Sequence, residues 1–189
     1  KLSRGLGDVY KRQSLLRPEI TRDLELPRHG LQVVPFGGGA TFMRNGDHFG
    51  NYADHDRHYR EIARHSKRDA NAYDRYAADT SLQTKLIRPY LMRTPPDPTS
   101  LKPRDLRDLM EFAQSFMSLG EEKLLDTIKF WTASVGDYLN EYFETDVIKA
   151  HMAGSGIIGT ALGVYSPGTA YVLLHHYICL LYTSPSPRD

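Results

Sequence analysis

Cysteine is nearly absent from this chain. Its 189 residues hold one, Cys179, and that one falls in a C-terminal stretch, CLLYTSPSPRD over 179–189, that reads as translated transposase-type sequencing adapter. The stretch SRGLGDVYKRQ, over 3–13, reads as the companion adapter at the other end. Adapter-derived tails are set aside before a fold is argued, like any fusion scar. The natural part is then 14–178, 165 residues long. Within it no disulfide framework, thiolate zinc site or thiol nucleophile is available. An initiator methionine is also missing, and the expectation is an internal fragment of a longer protein. Positive charge is scarce too. The whole chain carries +1, and taking out the +3 of the first thirteen residues leaves −2. A nucleic-acid footprint needs a clustered positive excess, so no nucleic-acid partner is expected.

Charge of either sign disappears over 150–178, which holds no Asp, Glu, Lys or Arg. A membrane span needs about 20 apolar residues, and length alone permits one. Five glycines, Pro167 and the pair His175–His176 argue against it, because broken backbone in lipid strands its polar groups. The stretch reads instead as buried, or as the lining of an apolar cavity.

Elsewhere the patterns predict an α+β, mainly helical fold. LQVVPF, over 31–36, predicts a short strand ended by Pro35 and three glycines. Asn45–Gly46 predicts a type I′ turn in a hairpin of 41–44 with 47–51. Strand patterning stops there, which divides the natural part into strands and loops over 14–53 and a helical lobe over 54–178. A helix is expected over 54–66, and a longer one over 69–92 with Pro89 near its end. The apolar set of the longer one is Tyr73, Tyr76, Ala77, Leu82, Leu86 and Ile87. A proline-rich connection, 93–103, leads to a helix over 104–118. Its apolar residues Leu106, Leu109, Met110, Ala113, Phe116 and Met117 recur at a 3.6 period. Ser118 with Glu121 has the spacing of a capping box for the next helix, which is expected to bury Leu124, Leu125, Ile128 and Trp131. Ser134 with Asp137 repeats that pattern, and 146–152 reads as another short helix.

Two motifs suggest chemistry. Gly154, Gly156 and Gly159 have the G-x-G-x-x-G spacing of a dinucleotide-binding turn, which requires a strand before it and a helix beginning within it. TDVIKAHM before it reads as helix. Gly163, Pro167 and Gly168 interrupt the residues after it, and no acidic residue stands about 20 positions on. The motif therefore reads as a loop that lets backbone pass close to something bulky. His48, His55, His58 and His65 lie near Asp47, Asp54 and Asp56, and His55 with His58 has metal-ligand spacing. Arg57, Arg60 and Arg64 interleave them, which favours a solvated, charge-laced helix face over a metal site. FGGGA, over 36–40, lacks the Gly-Lys-Ser/Thr of a phosphate loop. In YSPGTAYVLLHHYI, Pro167–Gly168 makes a turn, and a helix begins after it. It is either a plain core helix or one whose first N–H groups face a cavity.

The segments LLRPEITRDLELPRHGL, YADHDRHYREIARHSKRDANAYDRY and AGSGIIGTALGVYSPGTAYVLLHHY together resemble the phytoene-desaturase-like FAD-dependent oxidoreductases, over essentially all of 14–178. The resemblance implies a parent about three times longer whose FAD-binding segments flank this one. The present chain would then be part of the substrate-binding domain of a FAD/NAD(P)-binding flavoprotein. The implied chemistry is hydride transfer from an apolar small-molecule substrate to the flavin. It also implies that the fragment alone is inactive and holds no cofactor-binding residue. The stretch containing Tyr165, Ser166, Thr169 and Tyr171 is implied to line the substrate cavity. No catalytic residue and no metal ligand is assigned. Peripheral membrane association of the parent stays open, and so does its compartment, cytoplasmic in a bacterium or the mitochondrial matrix in a eukaryote. A non-catalytic helical protein-interaction module is the alternative reading.

Overall fold

A computed structural model describes residues 18–32 and 38–180. The strand expected over 31–36 falls mostly outside the described residues. So do the two tails, except that 179 and 180 continue the last helix.

After a short helix α1, Pro18–Asp23, the chain forms an antiparallel hairpin of β1, Gly38–Phe42, and β2, His48–Tyr52. Its register pairs Gly38 with Tyr52 and Phe42 with His48. The expected turn is corrected in type. A type I′ turn needs positive φ at both central residues, and only Gly46 has it, at 86°. Asn45 instead uses its side-chain oxygen to accept the Asp47 N–H at 3.0 Å. The loop is closed by Gly46 N–H to Met43 O and by Met43 N–H to Asp47 O, which makes a three-residue connection with a glycine bulge.

The helices come in the order that the patterning predicts: α2, His55–His65; α3, Lys67–Ile87; α4, Pro103–Met117; α5, Glu121–Thr132; α6, Val135–Asn140; α7, Asp146–Ala153; and α8, Thr169–Leu180. Asp54 caps α2 by accepting the Arg57 N–H. Ser66 ends α2 and caps α3 through the Asp69 N–H. Ser134 caps α6 as expected. Ser118 does not cap α5. Its hydroxyl donates back to Ser115 O, and Gly120, at φ 82°, takes the cap position, because only glycine enters that backbone region without strain.

The core gathers Phe49, Ile62, Tyr76, Val135, Leu139, Ile148, Leu173 and Leu174, all at most 1% exposed. Helix α8 packs against α3, α5 and α6 and so forms the centre of the lobe. The buried face of α3 departs from the expected apolar set. Ala77, Leu82 and Leu86 are half-buried, while Thr80, Gln83 and Thr84 are buried. Gln83 donates to Thr127 Oγ1 and Thr84 to Thr80 O, and Thr80 shares a hydrogen bond with the Tyr138 hydroxyl. Partnered polar groups are tolerated in a core, and a reading of apolar letters alone misses them. The expected burial on α5 is corrected in part: Leu124 and Trp131 are half-buried, but Leu125 and Ile128 are not, and much of the apolar set of α4 is open as well. Leu106, Met110, Met117, Leu125 and Ile128 are all exposed.

Candidate functional site

The loop between α7 and α8 is stitched to the start of α6. Gly136 N–H donates to Val164 O at 2.8 Å, and Gly168 N–H to Ala133 O at 2.9 Å. Thr169 Oγ1 accepts the Val135 N–H at 2.8 Å and donates to Ser166 O at 2.7 Å. These bonds hold α6, α7 and the loop around a groove of about 350 Å³, within the range of small-molecule sites. Leu139, Ala150, Ala153, Ile157 and Val164 make its apolar walls, and Tyr165 forms part of its rim. The glycines are used for close approach. A Cβ on Gly136 would lie 2.5 Å from Tyr165 Cε1, and one on Gly156 would lie 2.7 Å from Val135 Cβ. One polar lip breaks the apolar lining. Lys149 Nζ donates to Asn140 Oδ1 at 3.1 Å and pairs with Asp146 at 3.2 Å, so the lip is charge-balanced.

The four expected cavity residues have different places. Only Tyr165, 67% exposed, lines the groove. Ser166 accepts the Gly163 N–H and, through its carbonyl, the Thr169 hydroxyl. Thr169 is fully buried as a staple between α6 and α8. Tyr171 points elsewhere, its ring 5.6 Å from that of Trp131. Lys149 and Asn140 were missed by the sequence reading. The one signal for the lip was that Lys149 is the last charged residue before the uncharged stretch.

The G-x-G-x-x-G spacing is not a dinucleotide turn here. Helix α7 precedes it, Gly154–Gly156 is a 3₁₀ turn, and Gly156 is packed against Val135. No helix N-terminus is left to receive a phosphate.

Of the four histidines, His48 and His55 are exposed as on a solvated face, while His58 is buried and His65 half-buried. His55 is exposed and bonds Asp74 at 2.8 Å, which raises its pKa. His58 is 2% exposed, and burial, then the charge of His151, pushes its pKa down to about 4. The Phe49 ring sits among His58, His65 and His151, with centroids at 6.0, 5.7 and 4.9 Å. His151 comes from α7 and shares a 2.7 Å hydrogen bond with Thr41 of β1. The cluster fastens the hairpin to the helical lobe. Among the described residues no group of three or more His, Cys, Asp or Glu is arranged to hold a metal ion, and no helix is long and apolar enough to cross a membrane.

A buried carboxylate does comparable structural work. Asp69, 0% exposed, accepts the backbone N–H groups of Glu144 and Thr145 at 2.8 and 3.0 Å, and also the Thr145 hydroxyl. It thereby ties the lead-in to α7 to a residue on α3, which orients one wall of the groove.

No family model matches the chain, and no solved structure matches it. The chain is 31% identical over 178 residues to the pyridine nucleotide-disulfide oxidoreductase domain-containing protein 2 of Mus musculus, and 30% identical over 178 residues to that of Rattus norvegicus. Each comparison covers 86% of this chain and 30% of the relative. The chain thus spans under a third of the length of these curated relatives, and its similarity is to proteins named for an oxidoreductase domain.

Proposed function

We propose that this chain is part of the substrate-binding domain of a longer, phytoene-desaturase-like FAD-dependent oxidoreductase, and that the groove beside Tyr165 contributes a wall of its substrate cavity. The observation that carries the proposal is the similarity, over 86% of the chain, to proteins named for an oxidoreductase domain. The apolar lining of the groove fits a substrate whose oxidised C–H bond lies in a dry environment. In flavin enzymes the isoalloxazine supplies the hydride chemistry and the protein supplies orientation and exclusion of water. The described residues do not fit the pyrophosphate of the cofactor, since the only glycine-rich turn of suitable spacing among them is filled by Val135. In this reading the cofactor is held by other parts of the parent, and the chain alone is inactive. Its own residues bind and orient. The walls exclude water, the paired Lys149–Asp146 lip adds no net charge, and Thr169 fixes the loop that carries Tyr165.

The test is to express the full-length polypeptide containing this chain and measure its flavin absorbance and its reduction by apolar substrates. Bound flavin, with turnover slowed by Ala150→Trp, which places a ring at an exposed position of the groove lining, is the expected result. A full-length protein without flavin ends the proposal. Flavin binding by the isolated chain overturns the part that assigns the cofactor to other segments.

A further inference from the structure

Helices α4 and α5 each carry apolar residues that the other described residues leave uncovered. On α4 the covered side carries Phe112, its ring 5.0 Å from that of Tyr90, and Phe116, 5.1 Å from Trp131. Adjoining it, Leu106, Met110, Ala113 and Met117 are spaced as a single stripe along the helix. Leu106, Met110 and Met117 are 43%, 62% and 72% exposed. Helix α5 repeats the arrangement. Thr127 and Phe130 face inward, while Leu125 and Ile128 are 59% and 52% exposed. Exposed apolar stripes of this kind mark contact surfaces.

The flanking charges narrow the occupant. Arg93 pairs with Glu111, Arg104 with Asp108, and Arg107 with both Asp108 and Glu111. These pairs join three arginines to two carboxylates, but 93–132 as a whole holds six basic and seven acidic residues, so the flank offers no net electrostatic attraction to an anionic bilayer or an acidic partner. The length relation supplies an occupant. Roughly 70% of each curated relative lies beyond the region this chain matches. We infer that the outer stripes of α4 and α5 are an intramolecular docking surface, covered in the longer polypeptide by apolar segments of its remaining chain. The inference rests on the reading of this chain as part of a longer protein, and not on the flavin.

Methionine oxidation tests it directly, because exposed methionine oxidises readily and converts to a polar sulfoxide. Hydroxyl-radical footprinting with mass spectrometry would compare Met110 and Met117 in the isolated chain and in the full-length polypeptide, with Met152, 7% exposed, as the internal standard. The expected result is oxidation of Met110 and Met117 about tenfold slower in the full-length protein, at every protein concentration. Equal rates in the two proteins overturn the inference. So does protection that grows with concentration, which indicates a second copy, or protection that requires added phosphatidylcholine–phosphatidylglycerol vesicles. Flavin content is read on the same full-length sample. Protected methionines without flavin reject the oxidoreductase reading and leave the docking surface standing, whereas flavin with freely oxidised methionines rejects the docking surface alone. Leu106→Glu with Met110→Glu adds a check. The double variant is expected to leave the helicity of the isolated chain unchanged and to restore fast Met117 oxidation in the full-length protein.

Discussion

Gly136 lines the groove and Gly156 is buried behind it against Val135, and an added methyl group meets a different kind of neighbour at each. At Gly136 it meets the ring of Tyr165, which is 67% exposed and free to swing outward. Gly136→Ala is therefore expected to change Tm little while weakening binding of an apolar probe in the groove, measured by fluorescence titration. At Gly156 the methyl meets the fully buried, β-branched Val135 at 2.7 Å, which has one favoured rotamer in a helix and no space to yield. Gly156→Ala is expected to cost about 2 kcal/mol by overpacking, read from the urea midpoint. Asp69 presents the opposite hazard. Asp69→Ala leaves two backbone N–H groups and the Thr145 hydroxyl without their acceptor, a loss of about 3 kcal/mol for unsatisfied buried donors. Chemical denaturation checks this, and a cost near zero would mean that the lead-in to α7 is satisfied some other way. Neither the role of Asp69 nor that of Thr169 was legible in the sequence. Their partners lie 75 and 34 residues away, and no local pattern records such a pairing.

At the scale of elements, helix positions and most ends were set by apolar spacing and by Asp54, Ser66 and Ser134, whose capping partners are only three residues on. The hairpin was legible for the same reason, and its turn type was mistaken because an Asn side chain can satisfy the turn without entering the left-handed region. The joint between the hairpin and the helices was not legible, and it makes the element sensitive to pH. His58 is buried and His151 half-buried, and desolvation holds both below the ordinary imidazole pKa, His58 at about 4. A depressed pKa contributes stability that is present above the unfolded value of about 6.5 and is lost as pH falls through the folded value. The groups facing this cluster are His65 and Phe49, Tyr73 of α3, Thr41 of β1, and Glu61 with its partner Arg64. Glu61 and Asp47 are lowered by hydrogen bonds from Arg64, so their contribution is lost only at still lower pH, in the same direction. The exposed His55 is raised by Asp74; its contribution is present below about 6.5 and lost as pH rises through its folded value, which opposes the trend weakly. Amide exchange at Phe49 and Gly50 is therefore expected to rise, relative to that in α8, as pH is lowered from about 6.5 toward about 4. His58→Phe should flatten the profile, and an unchanged profile in that variant would remove His58 as the cause.

For the whole molecule, the distribution of burial decides how it comes apart. Helix α8 places Leu173 and Leu174 at the junction of α3, α5 and α6, both at most 1% exposed, and Tyr177 ties it to Tyr76 by a 2.7 Å hydroxyl contact. Helix α4 buries only Phe116, and that to 8% exposure. Removing a methylene-rich side chain from a packed centre costs both transfer and cavity energy, about 3 kcal/mol for Leu173→Ala. Because every neighbouring helix shares that contact, far-ultraviolet dichroism and Trp131 fluorescence should shift together in this variant. Phe116→Ala should act differently. It removes the main anchor of α4 on Trp131, so it should speed amide exchange in α4 through local opening while leaving exchange in α8 close to its original rate. If α4 and α8 instead exchange with equal free energies in the isolated chain, then α4 is already part of the cooperative core. Its outer stripe would then need no partner for stability, and docking of further chain on α4 would have no energetic basis.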